Sequence, residues 1–162
     1  MRAAAHFGNT AAGSNAETQY VIALPPKFES PGEGYYCAYH SSVSSSYGDV
    51  AYTDLPYLSG LGATAPDGNG CGENAVNPGA AGTYDGFSIA EGHEFMETIT
   101  DMRPFTGWRD DTNAENGDKC AWITTGQGAM ANLTLSTGTF AVQSTWSNAF
   151  DGREGDCVVH SS

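Results

Sequence analysis

In the stretch EGHEFMETITD, residues 91–101, a histidine is followed directly by a glutamate, and a second glutamate stands four positions after that histidine. On a helix, positions four apart share a face and lie about 6 Å apart along the axis. His93 and Glu97 can therefore grip one cation between them while Glu94 projects beside it. That is the working principle of the HExxH helix of zinc peptidases, where the Glu beside the first ligand takes the proton of the zinc-bound water. Here Glu97 replaces the second histidine. A carboxylate binds zinc at about 2.0–2.2 Å, lowers the net charge of the site and leaves the metal a weaker Lewis acid. The same five residues also fit the solvated polar face of an acidic helix, so the surroundings decide between the two.

A catalytic zinc keeps three protein ligands and one open position. Asp101 is eight residues beyond His93, roughly 12 Å along a straight axis, so it reads as a supporting group or an anchor of the helix end. Glu115 and Asp118 lie where a chain returning to the helix supplies the third ligand, and His40 competes with them. Glu115 and Asp118 read equally well as a turn flanking a disulfide. A calcium loop at Asp67-Gly68-Asn69-Gly70 is the weaker alternative, because it lacks the spaced carboxylates of an EF-hand and plain turn chemistry explains it.

These side chains need a scaffold. Gln19–Leu24 (QYVIAL) is β-branched and aromatic, stopped by two prolines, and reads as a buried strand. Tyr35–Ser41, which carries His40, and Asp49–Leu55 fit a second and a third strand. From Ser59 to Tyr84 there is no periodicity; a loop of that length is functional or tethered, and Cys71 would tether it. The one convincing helix runs from Phe87 to about Met102, with Phe87, Ile89 or Ala90, Phe95 and Ile99 at helical spacing and Pro104 closing it. Leu133–Leu135 and Thr139–Ser144 read as late strands around Gly138. The order predicts an α+β single domain. Residues 1–18 read as a flexible lead-in and 19–162 as the domain, or as the C-terminal part of a longer protein.

Six basic residues against nineteen acidic ones leave a formal charge of −13, which repels phosphate backbones and anionic membrane surfaces. Nucleic acid is therefore an unfavourable partner, and no apolar run reaches the roughly 20 residues of a spanning helix. Glycine is heavily used and lysine nearly absent, a composition suited to a loop-rich secreted protein. Residues 1–16 hold no apolar block long enough for a signal peptide, so an exported protein would be present here as its mature form. Four cysteines, Cys37, Cys71, Cys120 and Cys157, form no CxxC pair; an even count favours two disulfides, and sequence order favours Cys37–Cys71 and Cys120–Cys157. Most of the tyrosines and tryptophans read as strand packing, with Trp108 the one aromatic placed between the helix and the candidate third ligands.

The segments His93–Asp101, Gly107-Trp108-Arg109-Asp110, Glu115–Trp122 (ENGDKCAW) and Phe140–Asn148 (FAVQSTWSN) resemble a group of secreted actinobacterial proteins related to the plant phosphate-induced, or exordium, family. QYVIALPP, YYCAYHSS and VAYTDLPY fit the same group, so the resemblance covers about Gln19 to Cys157. Met102, Arg109 and Asn116 depart from the pattern, which tends to proline, tyrosine and an apolar residue there. The resemblance implies a zincin-like fold: a short mixed sheet packed on one long active-site helix, loop-rich and disulfide-bonded. It places His93, Glu94, Glu97, Glu115 and Asp118 on the shared positions. The expected function is a secreted zinc-dependent hydrolase acting on a peptide or protein, with Glu94 as general base and calcium as the alternative ion. The competing expectation is a non-catalytic extracellular or cell-wall-associated module with a structural metal.

Overall fold

The computed structural model describes residues 1–28 and 36–159. A helix α1 (Arg2–His6) is followed by β1 (Gln19–Ala23), β2 (Tyr39–Ser45) and β3 (Gly48–Leu55), which form a sheet in the order β1-β3-β2. The predicted second strand thus starts four residues later than Tyr35, which lies outside the described residues. β3 is parallel to β1 and antiparallel to β2, and its register sets His40 opposite Thr53. Residues directly opposite one another share a face of the sheet. Thr53 is fully buried, and on the same face His40 reaches Glu94 of the long helix at 3.1 Å, so the register aims His40 at that helix.

Each face of the sheet has its own apolar cluster. On the helix side, Ala38, Leu55, Leu58, Ala65, Cys71 and Ala90 are buried together, with Phe87 packed against them. On the other side, Ala4 of α1 meets Tyr20 and Val50. Within residues 1–18, Ala4 and Asn15 are the buried side chains that meet the sheet. Asn15 is buried and donates to the carbonyls of Asn9 and Tyr47 while accepting from the Tyr20 hydroxyl. No hydrophobic period announces this packing, because one methyl group and one asparagine carry it.

The long helix, α2 (Asp85–Thr100), begins two residues before the predicted Phe87. Asp85 accepts from the amides of Val76 and Asn77, tying the preceding loop to the helix N-terminus, where a carboxylate also faces the favourable end of the dipole. A side chain at Gly86 would put its Cβ 2.3 Å from the carbonyl of Cys71, so glycine is what lets the helix approach the disulfide loop. At the other end Asp101 accepts from the amide and hydroxyl of Thr106, turning the chain back.

The predicted apolar stripe of α2 is only half realised. Ile89 and Ala90 are buried, but Phe95 and Ile99 are 48 % and 62 % exposed, while Glu94 and Glu97 are buried. Along its second half the helix turns its polar side inward, the reverse of an ordinary amphipathic helix. β4 (Ala131–Leu135) and β5 (Gly138–Val142) form the expected late hairpin, and Ser88 donates to the Ala141 carbonyl to seat it on α2. A last hairpin, β6 (Thr145–Ser147) with β7 (Asp156–Val158), is additional to the predicted elements. The disulfides are Cys37–Cys71 and Cys120–Cys157, as sequence order favoured. Within the loop from Ser59 to Tyr84 only two short 3-10 turns occur, at Gly62–Thr64 and Gly79–Gly82. The molecule is a mixed α+β protein with small sheets, one long helix and two disulfides. Among the described residues no helix is long and apolar enough to cross a membrane.

Candidate metal centre

The inward polar side of α2 is met by two other segments. β2 brings His40, and the turn that leads into the 3-10 helix Asp118–Cys120 brings Glu115 and Asp118. His93 Nε2 lies 3.0 Å from Glu97 Oε1 and 3.5 Å from Asp118 Oδ1. Donors placed tetrahedrally around zinc at about 2.0–2.1 Å stand roughly 3.3 Å from one another, so each of these carboxylates lies near ligand spacing from His93, while the three side chains on this side whose donor atoms all lie within 4.8 Å of one another are His93, Glu94 and Glu97. The chain returning after the helix thus supplies Asp118 beside His93, and both Glu115 and His40 reach the same cluster from the far side.

His40 Nδ1 is 3.1 Å from Glu94 Oε2 and 3.4 Å from Glu97 Oε2, while its Nε2 is 3.0 Å from the Asp101 carbonyl and 3.6 Å from Glu115 Oε1. Asp101 acts through its backbone oxygen here, and its carboxylate serves Thr106; it is the anchor of the helix end rather than a ligand. His93 is held from behind: its Nδ1 is 3.2 Å from Gln143 Oε1, and the Gln143 amide donates to the carbonyls of Gly117 and Ser144. Those two bonds fix which end of the amide faces the histidine, so Nδ1–H donates and Nε2 points at the carboxylates. Gln143 gave no signal in the sequence, because a single glutamine at the end of a predicted strand has no spacing to read.

Charge follows geometry. Burial works against a charged His40, but hydrogen bonds to Glu94 and Glu97 outweigh it and push its pKa up to about 10. His93 is likewise raised well above its ordinary value: burial opposes, and Asp118 and Glu97 prevail. Burial alone would raise Glu97, yet its bonds to His40 and His93 bring it down to about 2. Glu115 goes the other way, up to about 7, through burial and the negative charge of Glu97. Without metal, two imidazolium groups thus stand in for cations among the carboxylates, and a metal taking their place releases protons.

The turn carrying Glu115 and Asp118 is braced. Lys119, one of the chain's two lysines, reaches Asp110 at 2.8 Å and lies 4.5 Å over the ring of Trp146, and the Cys120–Cys157 disulfide follows at once. Gly117 packs directly on the ligands: a Cβ there would stand 2.9 Å from Glu97 Oε1 and 3.0 Å from His93 Nδ1. Gly117→Ala is therefore expected to weaken zinc binding about 10- to 100-fold while costing the metal-free fold roughly 1–3 kcal/mol. Competition with a chromophoric chelator and thermal melts of the stripped protein measure the two effects separately.

Two cavities meet at the cluster. One of about 260 Å³ is lined by Tyr39, His40, Glu97, Pro104 and Glu115, the other of about 250 Å³ by Tyr36, Pro66, Ile89, Ala121 and Trp122, and both are bordered by His93, Glu94 and Asp118. Trp122 brings an indole to the second of these cavities. Arg109 points away from the cluster, with its guanidinium over Phe105 and bonded to the Phe105 carbonyl and Asn113. The Asp67 turn accepts the amides of Asn69 and Cys71 through one carboxylate oxygen, and the two cysteines beside it are joined to each other, which removes them as thiolate ligands. No protein-family model, no curated protein and no solved structure matches the chain.

Proposed function

We propose that this protein is a secreted zinc-dependent hydrolase, most simply a peptidase, in which His93, Glu97 and Asp118 hold the metal and Glu94 is the general base. The observation that carries the reading is the pre-aimed His93. Its Nδ1 is fixed by Gln143, and its Nε2 faces Glu97 and Asp118 at the spacing of a metal's ligands. Imidazole nitrogen with carboxylate oxygen suits zinc better than calcium, which takes six to eight oxygens.

A divalent ion bound there supplies a more acidic water and a polarised carbonyl. The chain's own groups do the rest. Glu94, buried at the border of both cavities, takes the proton of the attacking water and returns it to the leaving amine. His40 holds the Glu94 carboxylate in place through its ring N–H. The cavity between Ile89, Pro66 and Trp122 suits an apolar or aromatic side chain of the substrate, and the acidic surface favours cationic residues further out. Two disulfides favour an oxidising compartment, which supports secretion. A helix packed beneath a small mixed sheet supports a zincin-like arrangement, and with it the kinship to exordium-related proteins.

Mass-spectrometric metal content after Zn²⁺ loading and dialysis tests the reading. The wild-type protein is expected to hold at least one equivalent, and His93→Ala to lose the equivalent that supports hydrolysis of a casein-type substrate. A wild-type protein that retains no ion sinks the proposal.

A further inference from the structure

Glu97 faces two histidines at once. Its Oε1 is 3.0 Å from His93 Nε2, and its Oε2 is 3.4 Å from His40 Nδ1. Each ring is clamped at its other nitrogen by a group that can only accept: Gln143 Oε1 for His93 and the Asp101 carbonyl for His40. That is the orientation in which an imidazole presents a ligand nitrogen, its remote N–H fixed by an acceptor. The cluster therefore aims two such nitrogens at the two oxygens of one carboxylate.

A second observation falls on the His40 side. Glu115 is only 8 % exposed, and its Oε1 is buried without a hydrogen-bond partner. It lies 3.6 Å from His40 Nε2, beyond hydrogen-bonding range. A buried orphan oxygen costs free energy unless something bonds to it. His40, Glu97 and Glu115 can bring one donor atom each within 4.8 Å of one another, as can His93, Glu94 and Glu97. The two sets share only Glu97.

We infer that the protein holds two divalent cations: the one proposed above on the His93 side, and a second held by His40, Glu97 and Glu115, with the Glu97 carboxylate bridging them. The inference rests on the mononuclear reading and extends it, with one change: His40 Nδ1 then binds the second ion instead of donating to Glu94. Charge agrees with the assignment. Glu94, Glu97, Glu115 and Asp118 make four carboxylates, which two dications cancel with both histidines neutral. A bridged pair also gives a substrate carbonyl and its attacking water a cation each, the division of labour of two-metal hydrolytic centres. Zn²⁺ and Co²⁺, of borderline softness, and the harder Mn²⁺ fit one imidazole and two carboxylates apiece.

Metal stoichiometry, read by mass spectrometry on Zn²⁺-loaded protein, is the test. Wild type is expected to bind two equivalents; His40→Ala and Glu115→Gln are each expected to bind one. Glu115→Gln keeps the side chain's shape on a turn, so it guards against a His40 variant that fails to fold. In Mn²⁺-loaded wild type, electron paramagnetic resonance is expected to show an exchange-coupled pair, replaced by an isolated-ion signal in both variants. One equivalent in wild type, unchanged by either substitution, overturns the second site and leaves the mononuclear reading standing. No equivalent in wild type removes both.

Discussion

Glu94→Gln is expected to lower hydrolysis by about 10²- to 10⁴-fold, the usual contribution of a positioned general base, while zinc content and melting temperature stay at wild-type values. The substitution keeps the shape of the side chain, and an amide oxygen still accepts the His40 N–H that lies 3.1 Å from Glu94 Oε2. It removes only the capacity to take a proton. The competing picture of a non-catalytic module makes the opposite statement: the substitution would then change no biological effect, and His93→Ala would lower the melting temperature instead. A Glu94→Gln protein with full activity removes Glu94 from the chemistry, whatever the metal content.

The parts of the scaffold legible in the sequence are those whose signal is local. QYVIAL before two prolines and DVAYTDL before Pro56 read as strands because β-branched and aromatic residues end at residues that cannot extend the ladder, and they became β1 and β3. The helix was legible by its period and by Pro104. What misled was its second half, where Phe95 and Ile99 look like core and are exposed. The apolar rule failed there because the inward side of α2 is taken by Glu94 and Glu97, and burying carboxylates requires cations opposite them, which His40 and His93 provide.

Within the cluster, the i, i+4 pair was readable because helix geometry fixes it. Which of Glu115, Asp118 and His40 meets that pair stayed open, because Asp118 and Glu115 reach α2 through a turn set by the Cys120–Cys157 bridge and by Lys119, both long-range facts. His40 was open as a competitor, and only strand register shows which face it occupies; a slip of one residue would have turned it outward. The short elements α1, β6 and β7 carry too few residues to display a period at all.

The second large effect concerns the two disulfides, whose similar loops give similar stability but unequal consequences for the metal. Cys37 and Cys71 are 34 residues apart and Cys120 and Cys157 are 37 apart. Loop-closure entropy then assigns each bridge about 4 kcal/mol, so replacing either pair with serines is expected to lower the melting temperature by roughly 8–16 °C in a chain of this size. The site responds differently. Cys120 closes the 3-10 turn that begins at Asp118, and its partner sits on β7, against which Gly128 packs so tightly that a Cβ there would fall 2.6 Å from Cys157 Cβ. Freed from that anchor, Asp118 and Glu115 are held by the Lys119–Asp110 pair and by hydrogen bonds to Glu97, Gln143 and Trp146, without a covalent tie. Removing the Cys120–Cys157 pair is therefore expected to weaken zinc binding about 10- to 100-fold, the range seen when supporting contacts around a metal are lost. Cys37 stands three residues before His40 and its bridge ties down the Asp67 turn, so the Cys37→Ser/Cys71→Ser protein should keep the His93-side affinity within a few-fold. Chelator-competition titrations and thermal melts on the two double variants give both readouts. Equal loss of affinity from both would mean that the turn at Asp118 is not what positions the metal, and that the ligands are instead fixed by α2 and β2.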